Sequence, residues 1–373
     1  MVIGYDAKRA YLNDRGLGSY SRNLIAFMSK YCADDKFLLY TPDLGNKYVD
    51  KLNFENTEVV TPSGLNKLFS SYWRSFSIVS DIKNRNVEIY HGLSHELPFG
   101  IEKTPIKTVV TMHDVMFLQF PELYHFIDRK IYEFKYLRSC RVADKIVAIS
   151  EMTKRNLVEY ADIDEKKIEV VTQPCNPIFE SIYTEDQKLA VRKKYNLPRE
   201  FMLTVSAIES RKNQKRVIEA LATGKIDIPY VIVGRQENEY FRDLNNYISS
   251  HKLEDKVIFL SNVPDSDLPI IYQCATVFVF PSLYEGFGIP LVEAMTSGTP
   301  IVCSEGECFD ETIGSSALFA DSNNTDEWID CINKVLNDSG LQQRLINDGL
   351  EFTKRYSERN IAGKLRSIYK SML

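Results

Sequence analysis

Long apolar runs are missing from this 373-residue chain. No stretch approaches the ~18–20 consecutive apolar residues that a membrane-spanning helix requires. The first residues, 1–11, carry Lys8 and Arg9 but no apolar core of a secretory leader, so none is expected there. A basic surplus is missing too. Lys and Arg number 46 against 51 Asp and Glu, a formal net charge of −5, which disfavours a general nucleic-acid binder that gains affinity by neutralising phosphates. CxxC pairs are absent. The 7 cysteines (Cys32, Cys140, Cys175, Cys274, Cys303, Cys308, Cys331) are odd in number and scattered, a pattern of reduced thiols in a cytosol rather than a disulfide framework. No short repeat or low-complexity tract occurs. With 44% apolar and 26% charged residues, the composition is that of an ordinary folded chain. At roughly 100–200 residues per domain, the length implies two domains.

What is present is a rhythm of short apolar runs and longer amphipathic stretches. Runs at 109–112, 145–149, 168–172, 201–205, 230–233, 257–260, 276–280 and 300–303 are rich in Val, Ile and Phe without strict alternation. Strands buried on both faces have that character, as in parallel sheets covered by helices. Between them lie helical periods, with Tyr20, Leu24, Phe27 and Tyr31 on one face and Val217, Ile218 and Leu221 on another. This alternation predicts an α/β fold of doubly wound parallel sheets. The segment QPCNP at 173–177 carries two prolines and interrupts the pattern, so two Rossmann-like halves are expected to meet near it.

The segment FPSLYEGFGIPLVEAM, residues 280–295, is the most informative. It begins where a buried strand ends. Gly286 and Gly288 permit tight turns and close approach of a ligand, and Pro290 suits the first turn of a helix over about 289–296. The N–H groups of Gly288 and Ile289 would then face the carboxyl edge of the sheet, a ready site for phosphate. Two acids, Glu285 before the helix and Glu293 inside it, repel phosphate and need hydroxyl groups to face. A nucleotide-sugar satisfies both demands, with its diphosphate at the helix end, its sugar at Glu285 and its ribose at Glu293. Taken singly, the glutamates read more readily as plain structure, Glu285 as a turn residue and Glu293 as a solvated helix acid; taken with the glycines, the strand and the proline, the site is the preferred reading.

EGFGIPLVE, residues 285–293, resembles the E-x7-E motif of retaining GT-B glycosyltransferases of family 4, the glycosyltransferase group 1 family. Four further segments are similar to that family in the same order: RGLGSYSRNL (15–24), VVTMHDVMFLQFPE (109–122), LTVSAIESRKNQKRVIEAL (203–221) and SGTPIVCSE (297–305). The resemblance implies GT-B architecture, with two Rossmann-like parallel-sheet domains facing across a cleft. Residues 1–177 would form the acceptor-side domain, 178–356 the nucleotide-sugar-binding domain, and 357–373 a helix crossing back to the first. It implies a hexosyl transfer with retention, the leaving phosphate itself accepting the acceptor's proton. His113 would contact the donor sugar near the reacting carbon without acting as a base, and Glu285 would hold sugar hydroxyls. Gly16 and Gly18, Arg211 and Lys212, and Phe287, Gly288, Ile289 and Glu293 would bind the donor. The ESRKN form at 209–213 resembles the mannosyltransferase branch, hence GDP-mannose as first donor and a UDP-sugar as second, with a glycan or lipid-linked acceptor.

Read from the residues alone, these positions keep their plainer alternatives. Gly16-x-Gly18 lacks the third glycine of a dinucleotide fingerprint, with Ser21 in its place, and could be an ordinary loop before a helix. His113 follows a buried run and lies where parallel sheets bind ligands, or it caps a turn with Asp114. Arg211 and Lys212 suit a diphosphate leaving group, or begin a solvated helix. Some family members place an arginine nearer the strand end, where this chain has Ser206. No cofactor and no metal are expected: the aspartate pairs Asp162–Asp164 and Asp265–Asp267 read as helix-flanking caps, and the histidines lack ligand spacing. The stretch 129–155, eight basic residues against three acidic, suggests an amphipathic helix. Its readings are a foothold on anionic lipid and, preferred from sequence, a solvated helix. LFSSYWR, 68–74, either lines an acceptor site or packs. Location in the cytoplasm, peripheral to a membrane under the foothold reading, is the expectation. Two rivals remain: a nucleotide-sugar 2-epimerase, and a non-catalytic sugar-nucleotide-binding subunit.

Overall fold

The computed structural model describes residues 1–236 and 239–373, and every side chain among them except that of Glu307. The chain divides into two units, one formed by Met1–Pro174 with Tyr356–Leu373, the other by Cys175–Arg355.

The first unit is built on a seven-stranded sheet. Its strands are β1 (Val2–Asp6), β2 (Lys36–Tyr40), β3 (Thr57–Val60), β4 (Ile89–Gly92), β5 (Lys107–Met112), β6 (Lys145–Ala148) and β7 (Ile168–Val170). They lie in the order β3-β2-β1-β4-β5-β6-β7, all parallel. The order reverses between β1 and β4, the point where doubly wound sheets open a crevice beyond their strands' carboxyl ends. One face is covered by helices Gly16–Tyr31 and Glu358–Lys370, whose Leu24, Phe27, Ile361 and Leu365 join Tyr5 and Phe37 in one core. The other core holds Trp73, Ile82, Tyr90, Val110, Ile146 and Leu157.

The second unit carries β8 (Met202–Val205), β9 (Tyr230–Val233), β10 (Val257–Leu260), β11 (Val277–Phe280), β12 (Ile301–Ser304) and β13 (Ala317–Ala320). They are ordered β10-β9-β8-β11-β12-β13 and all parallel, reversing between β8 and β11. Every residue of β9 and of β11 is buried, which is why these strands read as continuous apolar runs. Val217, Ile218 and Leu221 of helix Gln214–Ala222 lie in the core with Trp328 and Ile332. Helix starts are fixed by side-chain caps: Ser150 accepts from the Thr153 N–H at 3.0 Å, and Thr184 forms a reciprocal capping box with Gln187.

All eight expected runs are strands. β1, β2, β3, β4 and β13 lie outside those runs. β4, of sequence IYHG, carries a histidine and a glycine that dilute its apolar signal. In helix Gly16–Tyr31, Tyr20, Leu24 and Phe27 are buried, while Tyr31 is exposed, so the expected apolar face stops one turn short. The stretch 129–155 is not one helix. It spans helix Phe126–Val142, strand β6 and the start of helix Glu151–Ala161.

Candidate active site

The centre of the second unit's carboxyl edge is a carboxylate between two cations. Glu285 lies in the loop after β11. Its Oε2 accepts from Arg211 Nη1 at 3.1 Å, and its Oε1 from Lys212 Nζ and from Ser282 Oγ, the last at 2.8 Å. Arg211 and Lys212 come from a single helical turn after β8, at Ser210–Lys212. β8 and β11 are neighbours on either side of the point where strand order reverses, so sheet topology brings the three residues together across 73 positions of sequence. The two loops are stitched: Leu283 N–H donates to Arg211 O at 2.9 Å, and Arg211 Nη1 also donates to Tyr284 O at 2.6 Å. Arg211 Nη2 donates to Glu209 at 2.7 Å. Burial alone would raise the Glu285 carboxyl, but Lys212 and then Arg211 hold it below its usual range. The carboxylate is therefore charged and fixed in place.

Helix Ile289–Thr296 starts immediately beyond, with Pro290 in its first turn. Gly288 adopts φ +94°, a left-handed conformation that a side chain resists. The first N–H groups of this helix have no carbonyl partner within it, which gives the helix start its positive end. Phe287 is buried, and its carbonyl accepts from Thr312 Oγ1 at 2.5 Å and Cys308 Sγ at 3.1 Å. Its ring packs inside the unit rather than standing open to a ligand. Ser206, at the end of β8, accepts a hydrogen bond from Gln214 Nε2 at 2.9 Å.

Glu293 stands apart from the Glu285 cluster. Its Oε2 accepts from the Tyr272 hydroxyl at 2.9 Å. Burial, partly offset by that hydrogen bond and reinforced by Asp265, pushes its carboxyl up to about 7. The two glutamates, eight positions apart and alike in sequence, thus differ in charge near neutrality because only one has cations against it.

The first unit holds His113, directly after β5. Its Nε2 lies 3.0 Å from Leu93 O, so Nε2 carries the proton and Nδ1 is the acceptor. Its backbone N–H donates to His95 Nε2 at 3.1 Å. Burial, then the neighbouring His95, lowers the His113 imidazole to about 3, so the ring is neutral and a poor general base. The Asp114 carboxylate beside it accepts from the Met116 N–H at 3.1 Å. The Tyr20 ring meets His113 edge-on at 4.5 Å, placing helix Gly16–Tyr31 beside it.

Gly16 and Gly18 do not form a loop before that helix. They are in its first turn. A Cβ on Gly18 would lie 1.8 Å from Asn13 O, whereas one on Gly16 meets nothing within 4 Å. Gly18 is explained by the approach of its own chain, which Arg22 secures through bonds to Ala10 O and Asn13 O at 3.0 and 2.7 Å. The aspartate pairs have structural partners: Asp164 accepts from Lys166 N–H at 3.0 Å, and Asp267 binds Lys194 and the Tyr195 hydroxyl at 2.6 and 2.7 Å.

Three features escaped the sequence. Arg74 joins Asp6 at 2.6 Å and Glu96 at 3.0 Å, beyond the carboxyl ends of β1 and β4. LFSSYWR therefore divides, with Arg74 in this cluster, Trp73 buried and donating to Asp81 at 2.6 Å, and Leu68, Phe69 and Tyr72 exposed. Tyr272 positions Glu293. His91 hydrogen-bonds Tyr369 OH at 2.6 Å and Thr111 Oγ1 at 2.8 Å. None has a local signal, because each partner is far away in sequence. Only Ser282, inside FPSLYEG, could have been read from its motif.

Residues 186–352 match the family described as glycosyl transferases group 1, and residues 15–177 the one described as glycosyltransferase family 4. The chain is 30% identical over 290 residues to O-antigen chain mannosyltransferase B of Escherichia coli, covering 76% of this chain and 74% of that protein. It is 27% identical over 266 residues to O-antigen chain mannosyltransferase RfbU of Salmonella typhimurium, covering 71% and 69%. Among solved structures, a sucrose-phosphate synthase from Thermosynechococcus elongatus superposes with a TM-score of 0.79 at 18% identity, covering 100% and 99%. HepE of Anabaena, in complex with UDP and glucose, superposes at 0.78 and 17% identity, covering 99% of each chain. With two all-parallel Rossmann-like units in the GT-B manner and this kinship along most of its length, the chain belongs to the group 1 glycosyltransferases, family 4, and is a hexosyltransferase.

Proposed function

We propose that this enzyme transfers mannose from GDP-mannose to a glycan or lipid-linked acceptor, with retention at the anomeric carbon and without a metal. The observation that carries the reading is the Arg211–Lys212–Glu285 cluster beside the start of helix Ile289–Thr296. It offers fixed positive charge for a diphosphate and a fixed carboxylate for sugar hydroxyls, as a nucleotide-sugar requires. Glu293, on the same helix, is assigned to the ribose. The neutral His113 ring, with its acceptor nitrogen at Nδ1, suits a hydrogen bond to the sugar rather than proton removal.

In the transfer, the acceptor hydroxyl oxygen bonds the anomeric carbon as the carbon–oxygen bond to the diphosphate breaks. The hydroxyl proton passes to a phosphate oxygen on the same face. Arg211, Lys212 and the helix start stabilise the negative charge that grows on the leaving group. Mannose is favoured because the relatives named above carry mannosyltransferase names. A UDP-sugar is the second reading, because HepE, which shares the fold, was solved with UDP and with UDP-glucose.

Thermal unfolding with UDP, GDP, ADP and their sugars tests the donor. A ligand at ~100 times its Kd adds about 2.7 kcal/mol, enough to move the transition by several degrees. Selective stabilisation by GDP and GDP-mannose is expected. Selective stabilisation by UDP overturns GDP-mannose, and no response overturns the donor site. Incubation with donor alone separates the epimerase, which alone converts donor without acceptor.

A further inference from the structure

The turn at the end of β4, residues 92–96, folds tightly back on itself: a Cβ on Gly92 would lie 2.1 Å from Glu96 O. His95 in this turn adopts φ +67°, a left-handed conformation that is unfavourable for a residue with a Cβ. Among the described residues, seven besides glycine have positive φ, and four of them are Asn, which tolerates it. His95 is the one of the seven that is buried. Strain of this kind persists only where surrounding contacts over-determine it, and it gathers at functional sites.

The hydrogen bonds of His95 lead to His113. Its backbone N–H donates to Thr111 O at 3.0 Å, in β5 two residues before His113. Its Nε2 accepts the backbone N–H of His113 at 3.1 Å, and the two rings meet at 5.1 Å. Burial, then the Arg9 charge, lowers the His95 imidazole to about 3. The ring is therefore neutral, accepts at Nε2 and carries its proton at Nδ1. It also stacks on Tyr136 at 4.7 Å. The end of the turn is anchored, with Glu96 tied to Arg74 at 3.0 Å and the Leu97 N–H to Ser139 Oγ at 2.9 Å. Leu93, within the turn, supplies the carbonyl that takes the His113 Nε2 proton at 3.0 Å. Which nitrogen of a histidine is protonated follows from the hydrogen bond the other makes. The place of Leu93 O thus makes Nδ1 of His113 the acceptor, and no described residue bonds that Nδ1.

We propose that His95 is a positioning residue: its left-handed backbone places the Leu93 carbonyl and its Nε2 holds the His113 main chain, so that the His113 ring presents Nδ1 to a hydroxyl of the donor sugar. The proposal rests on the reading that His113 contacts that sugar. A His113 ring turned over about its Cβ–Cγ bond would put carbon where this nitrogen stands and leave Leu93 O without its donor. Held as it is, the ring meets the sugar already oriented, with no rotamer freedom left to lose. Packing alone does not account for His95. An apolar side chain could fill the same space, but only an acceptor at this reach satisfies the buried His113 N–H.

Heteronuclear NMR of the full chain with labelled histidines reads the tautomers directly, without ligand. Wild type is expected to show His113 protonated at Nε2 and His95 at Nδ1. His95→Asn tolerates the left-handed backbone, but its oxygen stands one bond short of Nε2. His95→Gln restores an acceptor at the full number of bonds. His113 should become a mixture of tautomers in His95→Asn and return towards wild type in His95→Gln. Titration calorimetry with GDP and GDP-mannose, or with UDP and UDP-glucose where UDP is the nucleotide that stabilises wild type, reads the consequence. His95→Asn should bind the sugar-nucleotide about fivefold more weakly and the free nucleotide unchanged, which also shows that the donor site is intact. His113→Ala should show the same loss, and adding His95→Asn to it should bring no further loss. An unchanged His113 tautomer in His95→Asn overturns the proposal, as does an additive loss in the double variant, which assigns His95 to general packing. Full sugar-nucleotide affinity in His113→Ala removes the sugar contact and the proposal with it, while the NMR still reports separately whether His95 fixes the ring.

Discussion

Lys212 and Glu285 form a buried ion pair, their side chains only 11% and 12% exposed, at the centre of the second unit's carboxyl edge. Removing one partner of such a pair strands the other. Lys212→Ala is expected to destabilise the second unit by about 3 kcal/mol, with Arg211 limiting the loss. The Lys212→Ala/Glu285→Ala double variant should be more stable than the sum of the two singles implies. Denaturant unfolding of all four forms measures the coupling. Additive losses would show that the pair contributes no mutual stabilisation.

The two glutamates should separate by function. Glu285→Ala is expected to leave nucleotide affinity nearly unchanged and to reduce sugar transfer by about a hundredfold or more. Glu293→Ala should weaken the free nucleotide itself. Titration calorimetry with the nucleotide, alongside turnover, makes the comparison. Equal nucleotide affinity in wild type and both variants removes the ribose assignment.

Glu293 also carries a pH signature. Its folded carboxyl titrates at about 7, above its ordinary value of 4.5. Between those values the folded state holds a proton that the unfolded state has released, so this group lowers stability as pH rises from about 4.5 to 7. Glu293→Gln should therefore raise the unfolding midpoint relative to wild type at pH 8, and do so less at pH 5.5. Binding of a nucleotide-sugar should tighten from pH 6 to 8 in wild type and not in the glutamine variant. A sugar-capped diphosphate is the right probe, since it lacks the terminal phosphate proton that titrates near pH 6.

Metal independence is tested directly by turnover in chelator. Unchanged rates after exhaustive EDTA treatment are expected. Loss of activity restored by a divalent cation overturns that part of the reading.

Gly16 and Gly18 look equivalent in sequence and are not. Gly18→Ala forces a methyl group against Asn13 O and should destabilise the first unit by about 1–3 kcal/mol. Gly16→Ala has open space and should stabilise the helix by about 0.5–1 kcal/mol. Thermal unfolding of the two variants distinguishes a packing role for Gly18 from a purely ligand-facing one.

That contrast also explains how far the sequence could be read. Uninterrupted apolar runs such as VFVF at β11 and the Gly–Ile–Pro start of helix Ile289–Thr296 are local signals, and both are legible. The grouping of Arg211 and Lys212 with Glu285 is not local. Sequence reading gave the cations to phosphate and the carboxylate to sugar, each facing a ligand. The fold also joins them to one another, because β8 and β11 are adjacent only in the sheet. Asp6, Arg74 and Glu96 are likewise assembled by strand order. The basic stretch 129–155 misled in another way: counting charge over it ran together a helix, a strand and the start of a second helix.

Helix Glu358–Lys370 belongs to the first unit, with Tyr369 buried against His91 and Tyr5. During synthesis, β1 to β7 emerge well before that helix. At ~5–20 residues per second, it follows β7 by on the order of ten seconds or more. The second unit is complete before the first can close over its own sheet. Until then Tyr5, Phe37 and the neighbouring apolar face of the first sheet lack their final cover, a window in which a nascent chain would draw on chaperones. The released chain ending at residue 357 should therefore hold a protease-resistant second unit and a protease-sensitive first one.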